Sequence, residues 1–81
     1  MADDIPEVRA VLEAPGASCA ILTPLIKEHI MHLESGDVLE VRSDDPTARE
    51  GVPAWSRLTG NPLVATVELD RRTTRFFLRR K

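Results

Sequence analysis

The sequence predicts a two-layer α/β sandwich of the α+β kind, with two helices on one face of a four-stranded mixed sheet. Three observations predict this fold. The chain has 81 residues, which is enough for one core and one layer of sheet. Four segments alternate in side-chain character with a period of two, as strands do. Two segments between them repeat apolar residues at steps of three and four, as helices do. The predicted order is β-α-β-α-β-β.

A loop of small residues separates the first predicted strand from the first predicted helix. Alternation predicts a strand over about Glu7–Glu13, and residues 14–18 (APGAS) break it. The helix is predicted over residues 22–33 and is expected to end at Ser35-Gly36, where the glycine suits a left-handed cap. Its buried face is expected to carry Leu22, Leu25, Ile26, His29, Ile30 and Leu33.

The second strand is predicted over Val38–Arg42 and is followed by Asp44-Asp45-Pro46. An acidic cap followed by proline is a strong start signal for a second helix. This helix is expected to end at Gly60-Asn61-Pro62, and Pro53 inside it predicts a kink or a split, because proline removes a backbone donor. One face of the helix is expected to carry Ala48, Val52, Trp55 and Thr59.

The last two predicted strands, Leu63–Leu69 and Thr74–Arg79, form a hairpin around a turn at residues 70–73. The sheet face opposite the helices is expected to be mostly polar. It is expected to carry Arg9, Val11, Glu13, Glu40, Arg42, Val64, Thr66 and Phe77.

Composition excludes several classes of protein. The net charge of −2 gives no reason to expect tight, non-specific nucleic-acid binding, and no apolar run is long enough to span a membrane. The acidic residues 1–7 lack the apolar core of a signal peptide, and we expect residues 1–6 to be a disordered N-terminus. A single cysteine cannot form an internal disulfide, which favours the cytoplasm.

The last residues of the chain are strongly basic. Between Arg71 and Lys81 there are six basic residues and no acidic one. Two interpretations remain open: an edge strand protected by charge, or a patch on which a partner docks.

Cys19 is the strongest candidate for a reactive group. It lies between a predicted strand and a predicted helix, after Gly16, Ala17 and Ser18. The unpaired amides and partial positive charge of a helix N-terminus lower the pKa of a cysteine thiol, and small neighbours admit a partner's sulfur. The alternative is a small buried residue with no reactivity, as free cysteines often are.

The other polar candidates have structural explanations. His29 is about 15 Å along a continuous helix from Cys19, too far for a direct dyad. His29 and His32 together make a poor metal site without a nearby carboxylate or cysteine. Capping explains Asp45 and leaves Asp44 without need of a catalytic role, and Trp55 is expected in the core.

Several motifs, taken in order, resemble one protein family. They are residues 16–19 (GASC), an amphipathic helix, residues 35–41 (SGDVLEV), 44–46 (DDP), 52–55 (VPAW), 59–60 (TG) and 75–79 (RFFLR). Their order and spacing resemble the TusA/SirA family of sulfur carriers over nearly the whole chain, from about Glu7 onward.

The resemblance implies the fold described above, as a single domain over residues 1–81. It also implies that Cys19 carries a persulfide, through sulfurtransferase-type chemistry and with no other cofactor. The implied partners are a sulfur donor (a cysteine desulfurase or a rhodanese-like protein) and an acceptor in tRNA thiolation, molybdenum-cofactor supply or sulfur oxidation. We expect partner contacts at Ala17, Ser18, Ala20, Arg75, Arg79 and Arg80.

The sequence departs from the family after the cysteine. The family usually has prolines one and three positions later, where this chain has Ala20 and Leu22, and a proline comes instead at Pro24. Either the helix starts just after Cys19 and Pro24 disturbs its second turn, or it starts at Thr23-Pro24 and leaves Cys19 about a turn away. Some members have a cysteine after the tryptophan. Here it is Ser56, so a resolving thiol has to come from a partner.

Two other functions remain open at this stage. One is a non-catalytic interaction module of the same fold with an inert Cys19, which the missing prolines favour. The other is RNA binding, against which the net charge and the 4% aromatic content argue.

Overall fold

The structure is a computed structural model that describes residues 7–81, with the backbone alone at Cys19. The expectation for residues 1–6 lies outside the described residues. The elements follow the predicted order β-α-β-α-β-β. They are strands β1 (Ala10–Ala14), β2 (Val38–Ser43), β3 (Leu63–Glu68) and β4 (Thr74–Arg79), and helices α1 (Cys19–Met31) and α2 (Ala48–Thr59).

The four strands form one mixed sheet in the order β1-β2-β4-β3. Strands β1 and β2 are parallel, while β4 runs antiparallel to both β2 and β3. Helix α1 connects the two parallel strands, and α2 follows β2. Both helices therefore begin at the sheet end where β1 and β2 finish, and β4 begins at that same end.

The core lies between the two helices and one face of the sheet, as predicted. Helix α1 contributes Leu22, Ile26 and Ile30, all buried, and α2 contributes Ala48 and Val52. Trp55 packs against this core, which confirms its expected place. The sheet contributes Leu12, Ala14, Leu39, Val41, Phe76 and Leu78.

Both helices contain a proline as their sixth residue, Pro24 in α1 and Pro53 in α2. Helix α1 starts at Cys19, so the first of the two alternatives for its start is correct and the predicted start at Leu22 is wrong. Helix α2 continues through Pro53, so it is not split. An interior proline removes a helical hydrogen bond, yet both helices run through it, and residues after it, such as Ile26 and Ile30 in α1, are buried.

The helix ends follow the predicted signals in part. Gly60, with φ of 82°, caps α2, and its amide donates to the Ser56 carbonyl. Helix α1, however, ends at Met31 with a right-handed cap at His32, so the expected glycine cap at Gly36 is wrong. Gly36 has φ of 91° and belongs to the turn that follows.

The N-cap of α2 is Thr47, with no side-chain capping bond, so the predicted cap at Asp45 is wrong; Asp45 instead holds the turn just before the helix. Its carboxylate accepts hydrogen bonds from the Thr47 amide (3.1 Å) and the Thr47 hydroxyl (2.8 Å). Its carbonyl accepts the Ala48 amide at 3.0 Å. The acidic side chain therefore stabilises the turn that leads into the helix.

Strand β3 changes face at a register shift between Leu63 and Ala65. Leu63 pairs with Leu78 on the helix side, but Ala65 pairs with Phe77, and Thr66 pairs with Phe76. An extra residue in a strand reverses the faces of all residues after it. Thr66 therefore lies on the helix side, and its predicted place on the opposite face is wrong. Val64 falls in the shift itself.

The sheet face without helices carries a network of charges over a buried ring. The Glu40 side chain is only 4% exposed, and its Oε2 accepts hydrogen bonds from Arg42 Nε (2.6 Å) and Arg75 Nε (2.9 Å). Arg42 also reaches Glu13 at 3.0 Å. The Arg75 guanidinium lies 5.2 Å from the ring centre of Phe77, which is fully buried. The face has the predicted polar character, but two of its residues, Glu40 and Phe77, are buried.

Candidate functional site

The candidate site lies at the sheet end where both helices begin. Cys19 is the first residue of α1, and Ser18 before it has an extended backbone (φ −73°, ψ 165°). The Ser18 carbonyl accepts the amides of Ile21 (3.0 Å) and Leu22 (2.8 Å), which starts the helix. The Ser18 side chain makes no capping bond, and the first turn has no acidic residue. The positive end of the helix dipole is therefore not neutralised within that turn.

The loop before Cys19 is held by two backbone amides. The Ala17 amide donates to the Ala14 carbonyl at 3.3 Å, which closes the turn after β1. The Gly16 amide donates to Asp44 Oδ1 at 2.9 Å. Gly16 has φ of 77°, a left-handed conformation that favours glycine. Two elements far apart in sequence thus meet at the cysteine loop.

The predicted contact residues beside the cysteine are accessible. Ser18 and Ala20 are exposed, and Ala17 is half-buried. A shallow depression of about 260 Å³ lies here and is lined by Gly16, Ala17, Ser18, Asp44 and Asp45. The structure therefore brings Ala17, Ser18 and Ala20 together around the backbone of Cys19.

Ile21 was missed by the sequence reasoning. It lies in the first turn of α1, and its side chain is 57% exposed, although it is large and apolar. It falls outside the helical positions that predict the buried face, and an apolar residue outside that face is the signal that could have found it. Ile21 therefore leaves an exposed apolar side chain two residues after Cys19.

The predicted basic contact residues do not join this group. Because β4 runs away from the Cys19 end, Arg79 lies opposite Val38, at the start of β2. Arg80 is also at that far end, where its Nη1 donates to the carbonyl of Met31 at 3.1 Å and to that of Leu33. Arg75 is hydrogen-bonded to Glu40 on the free sheet face. These three arginines are thus separated from the residues around Cys19.

Two other arginines lie at the Cys19 end. Arg71 and Arg72 are exposed in the turn between β3 and β4. They line a groove of about 390 Å³, together with Arg49 and the Asp44–Pro46 segment. The basic segment from Arg71 to Lys81 includes both arginines, but only the direction of β4 shows which part of that segment comes near the cysteine.

The remaining candidates have no part in the site. His29 is half-buried, and its Nδ1 donates to the Leu25 carbonyl at 2.9 Å. His32 is the exposed residue after the other end of α1. Within residues 7–81, no group of histidine, cysteine and acidic side chains could hold a metal ion.

Comparison with known proteins identifies the family. The family model described as sulfurtransferase TusA matches residues 10–80. The chain belongs to the TusA family. It is 31% identical over 81 residues to the sulfur carrier protein TusA of Pseudomonas putida strain GB-1, covering all of this chain and 98% of that protein. It is 37% identical over 54 residues to the putative sulfur carrier protein YrkI of Bacillus subtilis strain 168, covering 67% and 72% of the two chains.

The fold agrees with that of a solved structure. The crystal structure of a SirA-like protein from Desulfitobacterium hafniense matches with a TM-score of 0.75 at 21% identity, over 86% of this chain and 95% of that one. This agreement confirms the predicted sandwich of two helices on a four-stranded mixed sheet. None of the helices within residues 7–81 has the length and hydropathy that crossing a membrane requires.

Proposed function

We propose that this TusA-family protein is a sulfur carrier, in which Cys19 takes persulfide sulfur from a donor protein and passes it to an acceptor protein. The observation that carries the proposal is the family match over residues 10–80, together with the position of Cys19 as the first residue of α1. In the resembled family the carrier cysteine opens the first helix, and Cys19 opens α1 here, which supports the proposal.

The proposed transfer exchanges one sulfur–sulfur bond for another. The Cys19 thiolate attacks the outer sulfur of the donor persulfide and forms a new bond to it. The donor's own sulfur–sulfur bond breaks, and the donor cysteine leaves with that electron pair as a thiolate. Cys19 then bears the persulfide. In a second exchange of the same kind, an acceptor thiolate attacks the outer sulfur, and Cys19 leaves as a thiolate. No external oxidant or reductant is needed.

The structure supports this chemistry through the electrostatics of the first turn of α1. Both the attacking thiolate and the loaded persulfide are anions. A helix N-terminus favours an anion by about 0.3–1 kcal/mol, and neither a Ser18 cap nor an acidic side chain in the first turn competes for it. The helix start at Cys19, despite Ala20 and Leu22 in place of the family's prolines, supports this role.

Partner proteins are proposed to contact the surface around Cys19. In the proposal this surface comprises Ala17, Ser18, Ala20 and Ile21, with Arg71 and Arg72 beside it. Arg79 and Arg80 are too far along β4 to take part in the same contact, and Arg75 is engaged with Glu40. The proposed donor is a cysteine desulfurase or a rhodanese-like protein, and the exchange is proposed to take place in the cytoplasm.

The direct test is sulfur loading of wild-type protein and the Cys19→Ser variant by a desulfurase or rhodanese that holds a persulfide. Mass spectrometry of the intact protein should show an added mass of one sulfur atom on the wild type and none on the variant. Circular dichroism should give the same spectrum for both, because Ser replaces Cys without changing the shape of the side chain. A sulfur adduct on the variant, or no loading of the wild type by any donor class, contradicts the proposal.

An interaction module with an inert cysteine is the competing function, and the ionisation of the thiol separates the two. The rate of alkylation of Cys19 as a function of pH reports its pKa. A carrier should ionise below the pKa of a free thiol, because the helix dipole favours the thiolate. Alkylation that is slow and titrates like a free thiol, or at higher pH, favours the module.

A further inference from the structure

We infer that Asp44 is a positioning residue for Cys19, because its carboxylate holds the backbone of the loop that leads into the cysteine. The inference rests on the proposed function and adds to it a residue for which capping gives no role. Asp45 accounts for the turn before α2 through its bonds to Thr47. Asp44 makes no bond in that turn among those described.

The hydrogen bond of Asp44 connects two segments that are 28 residues apart. Asp44 follows the last residue of β2 directly, and its Oδ1 accepts the Gly16 amide at 2.9 Å. Gly16 lies two residues after the end of β1. Since β1 and β2 are parallel and adjacent, a side chain just beyond β2 is within reach of the loop just beyond β1.

This bond restrains the part of the loop with the most conformational freedom. Gly16 has a positive φ, and no atom lies within 4 Å of the position of a Cβ on it. Packing therefore does not fix Gly16. Between Gly16 and the helix there are only Ala17 and Ser18, and the Ser18 side chain makes no cap bond. The bond to Asp44 thus restrains Gly16 itself, while the next residue, Ala17, is held by its backbone bond to Ala14 and by packing against the core.

The chain offers a matched control at the other end of β2. Asp37 directly precedes the strand, and its Oδ2 accepts the Glu34 amide at 3.0 Å. Asp37 and Asp44 therefore make the same kind of bond, carboxylate to loop amide, at opposite ends of one strand. Only the Asp44 bond lies in the loop that leads into Cys19.

The experiment compares Asp44→Asn with Asp44→Ala. Both variants lack the negative charge, but asparagine keeps an oxygen acceptor for the Gly16 amide, so the difference between the two reports the hydrogen bond alone. The readout is the rate at which Cys19 reacts with a small aromatic disulfide, measured from pH 5 to pH 9. We expect the alanine variant to react roughly three- to tenfold more slowly than the asparagine variant at neutral pH, with its pH profile moved upward.

Hydrogen exchange of the Gly16 amide, followed by NMR, tests the bond directly. Protection should be present in the wild type and in Asp44→Asn and be lost in Asp44→Ala. This measurement on the wild type and the asparagine variant also decides the inference if the alanine variant does not fold. Asp37→Asn and Asp37→Ala should not differ from each other in their rate of reaction with the disulfide.

Three results would overturn the inference: an unprotected Gly16 amide in the wild type, equal rates for the two Asp44 variants, or an equally large difference between the two Asp37 variants. Failure of the proposed function is distinguishable from these. A wild-type protein that accepts no persulfide sulfur contradicts the carrier role, whereas the disulfide rates and the Gly16 exchange still decide whether Asp44 positions the cysteine loop.

Discussion

The two ends of the sheet are built in opposite ways. At the far end from Cys19, the last residues of the chain provide donors to the C-termini of both helices. Arg80 donates to the Met31 and Leu33 carbonyls after α1, and Lys81 Nζ donates to the Thr59 carbonyl of α2 at 2.7 Å. Positive side chains at these positions also favour the negative ends of the helix dipoles.

At the Cys19 end, the side chains that the structure describes give the start of α1 no such partner. Ser18 does not cap the helix, and the first turn lacks an acidic residue. Helix α2 also has no side-chain capping bond, but its first turn holds the acidic Glu50. Among the described residues, the C-termini of both helices therefore receive side-chain donors, while the start of α1 receives neither a cap nor a first-turn acid. We call the start of α1 the open end of the molecule and the opposite end of the sheet the closed end.

If the open end performs the chemistry and the rest of the molecule provides stability, a substitution midway along the sheet should change the free energy of unfolding but not the reactivity of Cys19. Glu40 is suited to this test because it joins Arg42 and Arg75 on the free face. Breaking an enclosed ion pair leaves charges unpaired, and Arg42 and Arg75 are partly exposed, so we expect Glu40→Gln to lower the free energy of unfolding by about 2–3 kcal/mol. Urea unfolding at neutral pH measures this loss.

The pH dependence of that loss has a definite sign. Burial alone raises the pKa of the Glu40 carboxyl, but the hydrogen bonds and charges of Arg75 and Arg42 outweigh it, so this pKa lies below its ordinary value. The stability gained from the ionised carboxylate is therefore present at neutral pH and is lost as the pH falls through the lowered pKa. The difference in stability between wild type and Glu40→Gln should shrink as the pH falls below the ordinary pKa of a glutamate carboxyl.

Glu13→Gln is the matched control for this prediction. Glu13 contacts the same arginine at 3.0 Å, but its side chain is mostly exposed, so its removal should hardly change stability. The rate of alkylation of Cys19 should stay the same in both variants. A difference that does not depend on pH would contradict the role of the carboxylate. A changed alkylation rate would show that the open end is not independent of the sheet.

Much of the fold could be predicted from the sequence because local patterns and tertiary packing agree. The alternation in the strands and the apolar helical face from Leu22 onward are local features of the sequence, and the residues they predict as buried pack in the core. The face reversal in β3 could not be predicted, since a register shift between Leu63 and Ala65 depends on which residues of β4 they pair with. The continuity of both helices through Pro24 and Pro53 could not be predicted from local signals either, since an interior proline usually kinks or breaks a helix.

The candidate site could be predicted only near the cysteine in sequence. Ala17, Ser18 and Ala20 are neighbours of Cys19 along the chain, so the loop brings them together in any fold of this type. The bond from Asp44 to Gly16 depends on two parallel strands ending side by side. The basic run presented a similar difficulty: the direction of β4 places Arg71 and Arg72 at the Cys19 end and Arg79 and Arg80 at the other.

The closed end, where Arg80 and Lys81 donate to helix carbonyls, offers a test with a smaller expected effect. Arg80→Met keeps an apolar stem but removes the donor to the Met31 and Leu33 carbonyls. We expect this variant to lower the free energy of unfolding by about 1–2 kcal/mol. Lys81→Met removes a bond from an exposed side chain and should have a smaller effect on the same thermal or urea unfolding curve. Neither change should alter sulfur loading of Cys19, because neither residue is at the open end. Weaker loading with Arg80→Met at full stability would instead mean that partners contact the far end of β4, and the division of the molecule into a closed and an open end would be wrong.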